Sequence, residues 1–294
     1  MATLEHIRKR IRSVKNTQKI TKAMKMVAAA RLRRAQQAML SARPFSKELN
    51  DLFAAIVPSL SPEDIAAHPL LAPRHAIART AVILFTSDRG LCGAFNTNVI
   101  KKAISVIAEE KALGRAVELT VYGRKGRDGM TARHHLPHVI DTDIGKWNLE
   151  DLKSRLLPLL ARYESGELDG ISLVYNRFVS AISQEPTTRQ LLPVDAFAQP
   201  AAASLATTDT DYAYEPDRLG FARVLIEKLV FSNFQLAYLE SLASELAARM
   251  SAMDSATKNA SDMIRQLTLT YNRARQAAIT LELMDIVNGA EAIS

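Results

Sequence analysis

The sequence predicts a small α/β foot domain with a largely parallel sheet, plus a long antiparallel two-helix coiled coil built from the two chain ends. Three observations carry this. Residues 1–43 hold neither Gly nor Pro and repeat apolar residues at helical steps. Phe221 to Asn288 is also free of Gly and Pro and keeps a heptad. Between them, short apolar runs alternate with stretches of helical spacing.

The first element is residues 1–43. Apolar residues recur at Leu4, Ile7, Ile11 and Val14, then Ile20, Met24 and Val27, then Ala28, Leu32, Ala35 and Met39. Asn16-Thr17-Gln18 interrupts the stripe once, and Pro44 is expected to end it. At 1.5 Å per residue the helix is roughly 60 Å long. Residues 44–80 read as a linker, irregular over 59–79, where Pro62, Pro69 and Pro73 crowd.

The foot spans residues 81–196. Ala81-Val82-Ile83-Leu84-Phe85-Thr86 is a continuous apolar run stopped by Ser87-Asp88-Arg89-Gly90, the pattern of a buried strand and its turn. Residues 97–111 have helical spacing, Val117–Gly123 reads as a second strand, and 149–163 as a helix. Ile171–Asn176 is a third strand and Thr187–Pro193 a candidate fourth. Alternation of this kind favours parallel pairing. Residues 197–217, biased to Ala, Ser, Thr and Asp, form a loop into the last element, 218–288.

That element carries Leu239, Ala243, Leu246, Met250, Met253, Thr257, Ala260, Ile264, Leu267, Tyr271, Ala274, Ala278 and Leu281 at strict heptad spacing. Thr257 is its clearly polar member. A heptad this long implies left-handed supercoiling, over about 100 Å of helix, and Gly289 stands where a C-cap belongs. Such a seam needs a partner. The first 43 residues offer a matching row in the same chain; a second copy of the chain is the alternative.

Charge separates the ends from the rest. The chain has 38 Lys+Arg and 31 Asp+Glu, a formal net charge of +7, yet residues 1–43 contain twelve Lys/Arg and one acid, Glu5. One basic element on an otherwise mildly acidic chain points to an acidic partner for that element. No run approaches the ~18 apolar residues of a membrane span, and the single cysteine, Cys92, excludes an internal disulfide.

No catalytic constellation stands out. Asp88–Gly93 and Gly123-Arg124-Lys125-Gly126-Arg127-Asp128-Gly129 match no phosphate-loop pattern; the second reads as a surface turn. His134, His135 and His138 cluster without Cys or suitably spaced carboxylates, so a solvated loop is expected rather than a metal site. Cys92 reads as a small buried residue. Residues 1–43 lack the aromatics of a single-strand nucleic-acid surface. Catalytic, cofactor and metal residues are therefore all assigned as none.

Several segments together resemble one family. They are Ile11-Arg12-Ser13-Val14-Lys15-Asn16-Thr17-Gln18-Lys19-Ile20-Thr21-Lys22-Ala23-Met24 with Met26-Val27-Ala28-Ala29-Ala30, Ser87–Gly93, Tyr214-Glu215-Pro216-Asp217, Ala247–Met253 and Tyr271–Thr280. Over its full length the chain resembles the gamma subunits of bacterial F-type ATP synthases. The resemblance implies a non-catalytic rotor shaft inside an alpha3beta3 hexamer. Its foot would rest on the c-ring and hold the epsilon subunit, one copy per complex, peripheral on the cytoplasmic side of the bacterial inner membrane. Proton-driven rotation of the ring would drive ATP synthesis at the beta subunits in turn. The resemblance places Lys22, Met24, Lys25, Arg31, Arg33 and Arg34 against acidic levers of the beta subunits. It places Arg275, Gln276, Thr280 and Glu282 at the beta catch loop, and Tyr212, Tyr214 and Glu215 at the c-ring. The other reading left open is a non-rotary coiled-coil scaffold docking an acidic partner.

Overall fold

The structure is a computed structural model that describes residues 4–57, 60–72, 74, 76–133, 137–194 and 218–291. The chain divides into two compact units. One consists of the outer parts of the two terminal helices, residues 1–29 and 249–294; the other is residues 30–248. The helices themselves are α1, Leu4–Ile56, and α6, Arg218–Glu291.

Both helices outrun their expected stops. α1 continues through Pro44 to Ile56. An internal proline removes one hydrogen bond and crowds the preceding turn, at about 3 kcal/mol. Burial on either side offsets this: Met39, Ser46, Leu49 and Phe53 are buried, while Pro44 itself is exposed. Residues 45–56 of the expected linker are therefore helix, and Pro62–Ala67 forms a further short helix, α2, capped by the Ser61 side chain. At the other end α6 runs past Gly289 to Glu291, so Gly289 is not its cap.

In the first unit α1 and α6 pair antiparallel. Arg8, Gln18, Thr21 and Lys25 bond Tyr271, Ser261, Thr257 and Asp254 respectively. The residue numbers of each pair add to 278 or 279, so one register holds throughout. From Ala260 to Asn288 the residues not fully exposed are Ala260, Ile264, Leu267, Tyr271, Ala274 and Ala278, six of the predicted heptad positions. Leu281, the last predicted one, is 64% exposed. Leu4, the first described residue of α1, lies level with about residue 275, so beyond Ala278 the seam has no partner among the described residues.

The α1 side of the seam departs from the predicted row. Ile20 and Val27 are exposed, whereas Gln18, Thr21 and Lys25 lie in the seam. A 3.5-residue repeat explains it. Steps of three and four from Ile7 run through Ile11, Val14, Gln18, Thr21, Lys25 and Ala28. Ile20 and Val27, seven apart, fall together on the outer face.

The second unit holds a five-stranded sheet in the order β3-β2-β1-β4-β5. Its strands are β1 Arg79–Phe85, β2 Ala116–Tyr122, β3 Val139–Asp141, β4 Gly170–Phe178 and β5 Gln184–Leu192. β1 pairs parallel with β2 and β4, β2 parallel with β3, and β5 closes one edge antiparallel to β4. Alternation along β1 sends side chains to both faces. Val82 and Leu84 join the core of α3, Phe95–Ala112. Ala81, Ile83 and Phe85 join a larger core with α5, Leu149–Glu164, and the inner parts of α1 and α6. Phe234 of α6 sits there fully buried, its ring 5.6 Å from that of Phe85. Tyr238 donates its hydroxyl proton to the Ile144 carbonyl at 2.8 Å, tying α6 to the turn before α5.

Two foot elements escaped the sequence reading. β3 has three residues, too few for a period. The Gly-rich segment is not a surface turn but helix α4, Arg124–Thr131. Gly123 precedes it at φ +105°, and a Cβ there or on Gly126 would come within 2.5–2.6 Å of the Thr86 side chain. Those glycines serve close packing against β1's end.

Candidate functional site

The α4 amides bear on phosphate binding. The first N–H groups of a helix are the ones available to an anion. Here Arg124 N–H donates to Asp88, Lys125 N–H to the Ser87 carbonyl and Gly126 N–H to Thr86 Oγ1. The helix start is already spoken for. Cys92 is buried, with Asn96 donating to its sulfur at 3.2 Å. His134 and His135 lie outside the described residues, and among the described residues no group of His, Cys, Asp or Glu could hold a metal. Tyr212, Tyr214 and Glu215 also lie outside them.

What remains is the surface of the two terminal helices. In the first unit Lys22 is exposed and makes no ion pair with a described residue, and Met24 is half-buried. Lys25 departs from the expected unpaired lever charge: its ammonium lies 2.6 Å from Asp254 of α6. The Lys25 and Lys258 ammonium groups hold the Asp254 carboxyl below the usual carboxylate range. Arg8, Arg12, Lys15 and Lys19 line an open groove of about 530 Å³ floored by Ile11 and Ile264. In the second unit Arg31, Arg33 and Arg34 are exposed, and none has an ion-pair partner among the described residues.

The outer face of α1 is also apolar in places. Ile20, Met26 and Val27 are 60%, 65% and 54% exposed. Sequence reasoning placed Ile20 and Val27 in the seam. The signal that could have freed them was the polar row Gln18, Thr21 and Lys25, which keeps the 3-4 alternation that Ile20 breaks.

Near the end of α6, Arg275, Gln276, Thr280 and Glu282 are all exposed. At about 100° per residue, Gln276 and Thr280 point away from the seam and Arg275 and Glu282 flank it. The Thr280 hydroxyl donates back to the Gln276 carbonyl at 3.0 Å, leaving its lone pairs outward. Beyond them Leu283, Met284, Ile286 and Val287 are 53–68% exposed. Large bare apolar residues at one end of a helix mark a contact with something else.

A mixed, doubly wound sheet unit, together with a long helical pair that is cationic outside, defines a mechanical subunit whose function lies in its surfaces. The comparisons agree. A family model described as ATP synthase matches residues 3–293. A protein of Anaeromyxobacter sp. (strain Fw109-5), "ATP synthase gamma chain", is 47% identical over 295 residues and covers both chains completely. One of the same name from Paracoccus denitrificans is 41% identical over 296 residues, again covering both. A chain of the Tetrahymena thermophila mitochondrial ATP synthase central stalk and c-ring superposes with TM-score 0.58 at 26% identity, over 81% of this chain and 99% of its own. One from the Euglena gracilis mitochondrial enzyme reaches 0.64 over 99% and 94%, at 20% identity, a likeness of fold. This chain belongs to the ATP synthase gamma-chain family, whose members are the central rotor shaft and not the catalytic subunits. No helix among the described residues is long and apolar enough to cross a membrane.

Proposed function

We propose that the chain turns inside an alpha3beta3 hexamer, with the c-ring driving its foot and the epsilon subunit held beside it. It is present in one copy, peripheral to the bacterial inner membrane on the cytoplasmic side. The observation that carries this reading is the division of the terminal helices into an inner seam and an outer face of cations, Lys22, Arg31, Arg33 and Arg34, with no ion-pair partner among the described residues. Exposed ion pairs contribute about 0.2–1 kcal/mol each. A set of such weak attractions suits a surface that must leave one acidic lever and meet the next. Lys25, held by Asp254, contributes less to that contact, and Met24 adds apolar area beside Ile20 and Val27. Arg275, with Gln276, Thr280 and Glu282, meets the beta catch loop, where a guanidinium can grip a carboxylate through two parallel bonds. Tyr212, Tyr214 and Glu215 meet the polar loops of the c-ring.

The test is stoichiometric. The chain is tagged within the foot, purified gently from membranes, and its native mass and Mg-ATPase are read on one sample. One copy with three each of two nucleotide-binding subunits, and no activity in the isolated chain, is expected. Two copies together, or no ATPase, would overturn the reading in favour of a static scaffold.

A further inference from the structure

We propose that a polar band across the helical pair keys α1 and α6 against sliding past one another, so that torque entering one helix is carried by both. The band is three successive cross-bridges: Gln18 to Ser261 at 2.7 Å, Thr21 to Thr257 at 2.8 Å, and Lys25 to Asp254 at 2.6 Å. The inference rests on the rotor reading and assigns residues to a mechanical task within it.

The band sits where apolar side chains would hold the pair more cheaply. Thr21 is 8% exposed, and polar residues at seam positions lower coiled-coil stability in exchange for specificity. Apolar seam flanks it: Val14 and Ile264 on one side, Ala28 and Met250 on the other. Choice of register is the usual reason for such an exchange. Yet the same helices are already tied in the second unit by the buried Ser46–Asn233 bond at 3.0 Å and the Arg43–Glu240 pair at 2.7 Å. Register alone leaves the band unexplained.

Shear explains it. Twisting a pair of wound helices moves each along the other. Apolar contact is non-directional, and half of the seam residues from Ala260 to Ala278 are alanines, which oppose that motion weakly. Hydrogen bonds are directional and weaken steeply with misalignment. The protons suit the task. Thr257 Oγ1 donates to the Met253 carbonyl at 2.7 Å, which leaves Thr21 as the donor across the seam. Thr21's own-helix alternative, the Gln18 carbonyl, is longer at 3.1 Å. The two hydroxyls therefore span the helices while each side stays satisfied.

The experiment uses the full rotary complex with a bead on the foot, reading the angular variance during the ATP-waiting dwell. Gln18→Leu, Thr21→Val, Thr257→Val and Ser261→Ala together remove both partners of two bridges. Replacing a bonded pair by apolar groups of similar shape is close to neutral for stability, so a merely structural role predicts an unchanged melt and unchanged variance. The key predicts an unchanged melt with raised variance. A second variant, Thr21→Cys with Thr257→Cys, tests it within one molecule. The oxidised pair is expected at or below wild-type variance, and reduction is expected to raise it. Variance equal to wild type in the first variant, or indifferent to reduction in the second, overturns the key; a complex that assembles without rotating overturns the rotor reading instead.

Discussion

Removing Arg43 should destabilise the chain more than removing its partner. Glu240 of α6 is buried, its side chain 6% exposed, while that of Arg43 is 40% exposed. Arg43 gives Glu240 two bonds, from Nε at 3.2 Å and Nη2 at 2.7 Å, and Nη2 also reaches the Phe178 carbonyl at 3.1 Å. Breaking a fully buried pair from one side costs about 3–5 kcal/mol. Two features lower that here. Water reaches the Arg43 side, and the Tyr175 phenol, held at about 12 by burial and then by the Glu240 charge, stands beside the carboxylate. Arg43→Leu is therefore expected to cost about 2–3 kcal/mol. Glu240→Leu leaves a half-exposed guanidinium that water can solvate, and should cost about 1 kcal/mol. The double variant should fall near the milder single one. Urea unfolding of the four chains measures all of this. Equal losses from the two single variants, or a double variant as weak as their sum, would refute the reasoning that a stranded buried carboxylate sets the cost.

Other outcomes follow from the same geometry. Arg275→Ala with Gln276→Ala should lower coupled ATP turnover with the melt unchanged, since both side chains are exposed; unchanged synthesis in inverted vesicles would remove them from the catch-loop contact. Phe234→Ala should cost about 3–5 kcal/mol, because the ring is fully buried against Phe85 and Tyr122; a urea midpoint shift far smaller would mean the core collapses around it. The Asp254 carboxyl should titrate by NMR below the usual range and rise when Lys25→Met removes its first partner. Because its folded value is depressed, its contribution to stability is present above the ordinary carboxylate range. It is lost as pH falls through the lowered value. Gly126→Ala should disturb the β1–α4 junction, where a Cβ meets Thr86 at 2.6 Å, visible as a lowered melting temperature.

The long periodic elements were legible in the sequence because period is a property of many residues. The α6 heptad from Ala260 to Ala278 marks its less exposed face, and the parallel pairing of β1, β2 and β4 follows from alternation with helices; from Leu239 to Met250 α6 is covered on nearly every side, so the heptad singles out no face there. Ends were less legible. Pro44 ends a helix by local rules, but burial on both sides of it overrides them. The α1 seam misled where apolarity was taken as the sign of burial: Ile20 looks like core and is exposed, Thr21 looks like surface and is buried. Their assignment depends on the partner helix, whose Thr257 lies 236 positions away. The basic outer face of α1 was legible as charge, while the Lys25–Asp254 pair joins residues 229 positions apart and left no local signal.

That separation along the chain has a bearing on biosynthesis. α1 leaves the ribosome well before its partner α6. At roughly 5–20 residues per second, the interval is on the order of tens of seconds, during which the row from Ile7 to Met39 lacks its α6 partner. Pairings so distant in sequence are slow to form, and an uncovered amphipathic helix is an aggregation risk while it waits. The α3 face of the foot, local in sequence, can form meanwhile, but its other face, which buries Phe234, and the shaft both wait for α6. A dependence on chaperones should therefore centre on α1, and supplying α6 late, or truncating it before Thr257, should show first as loss of soluble chain.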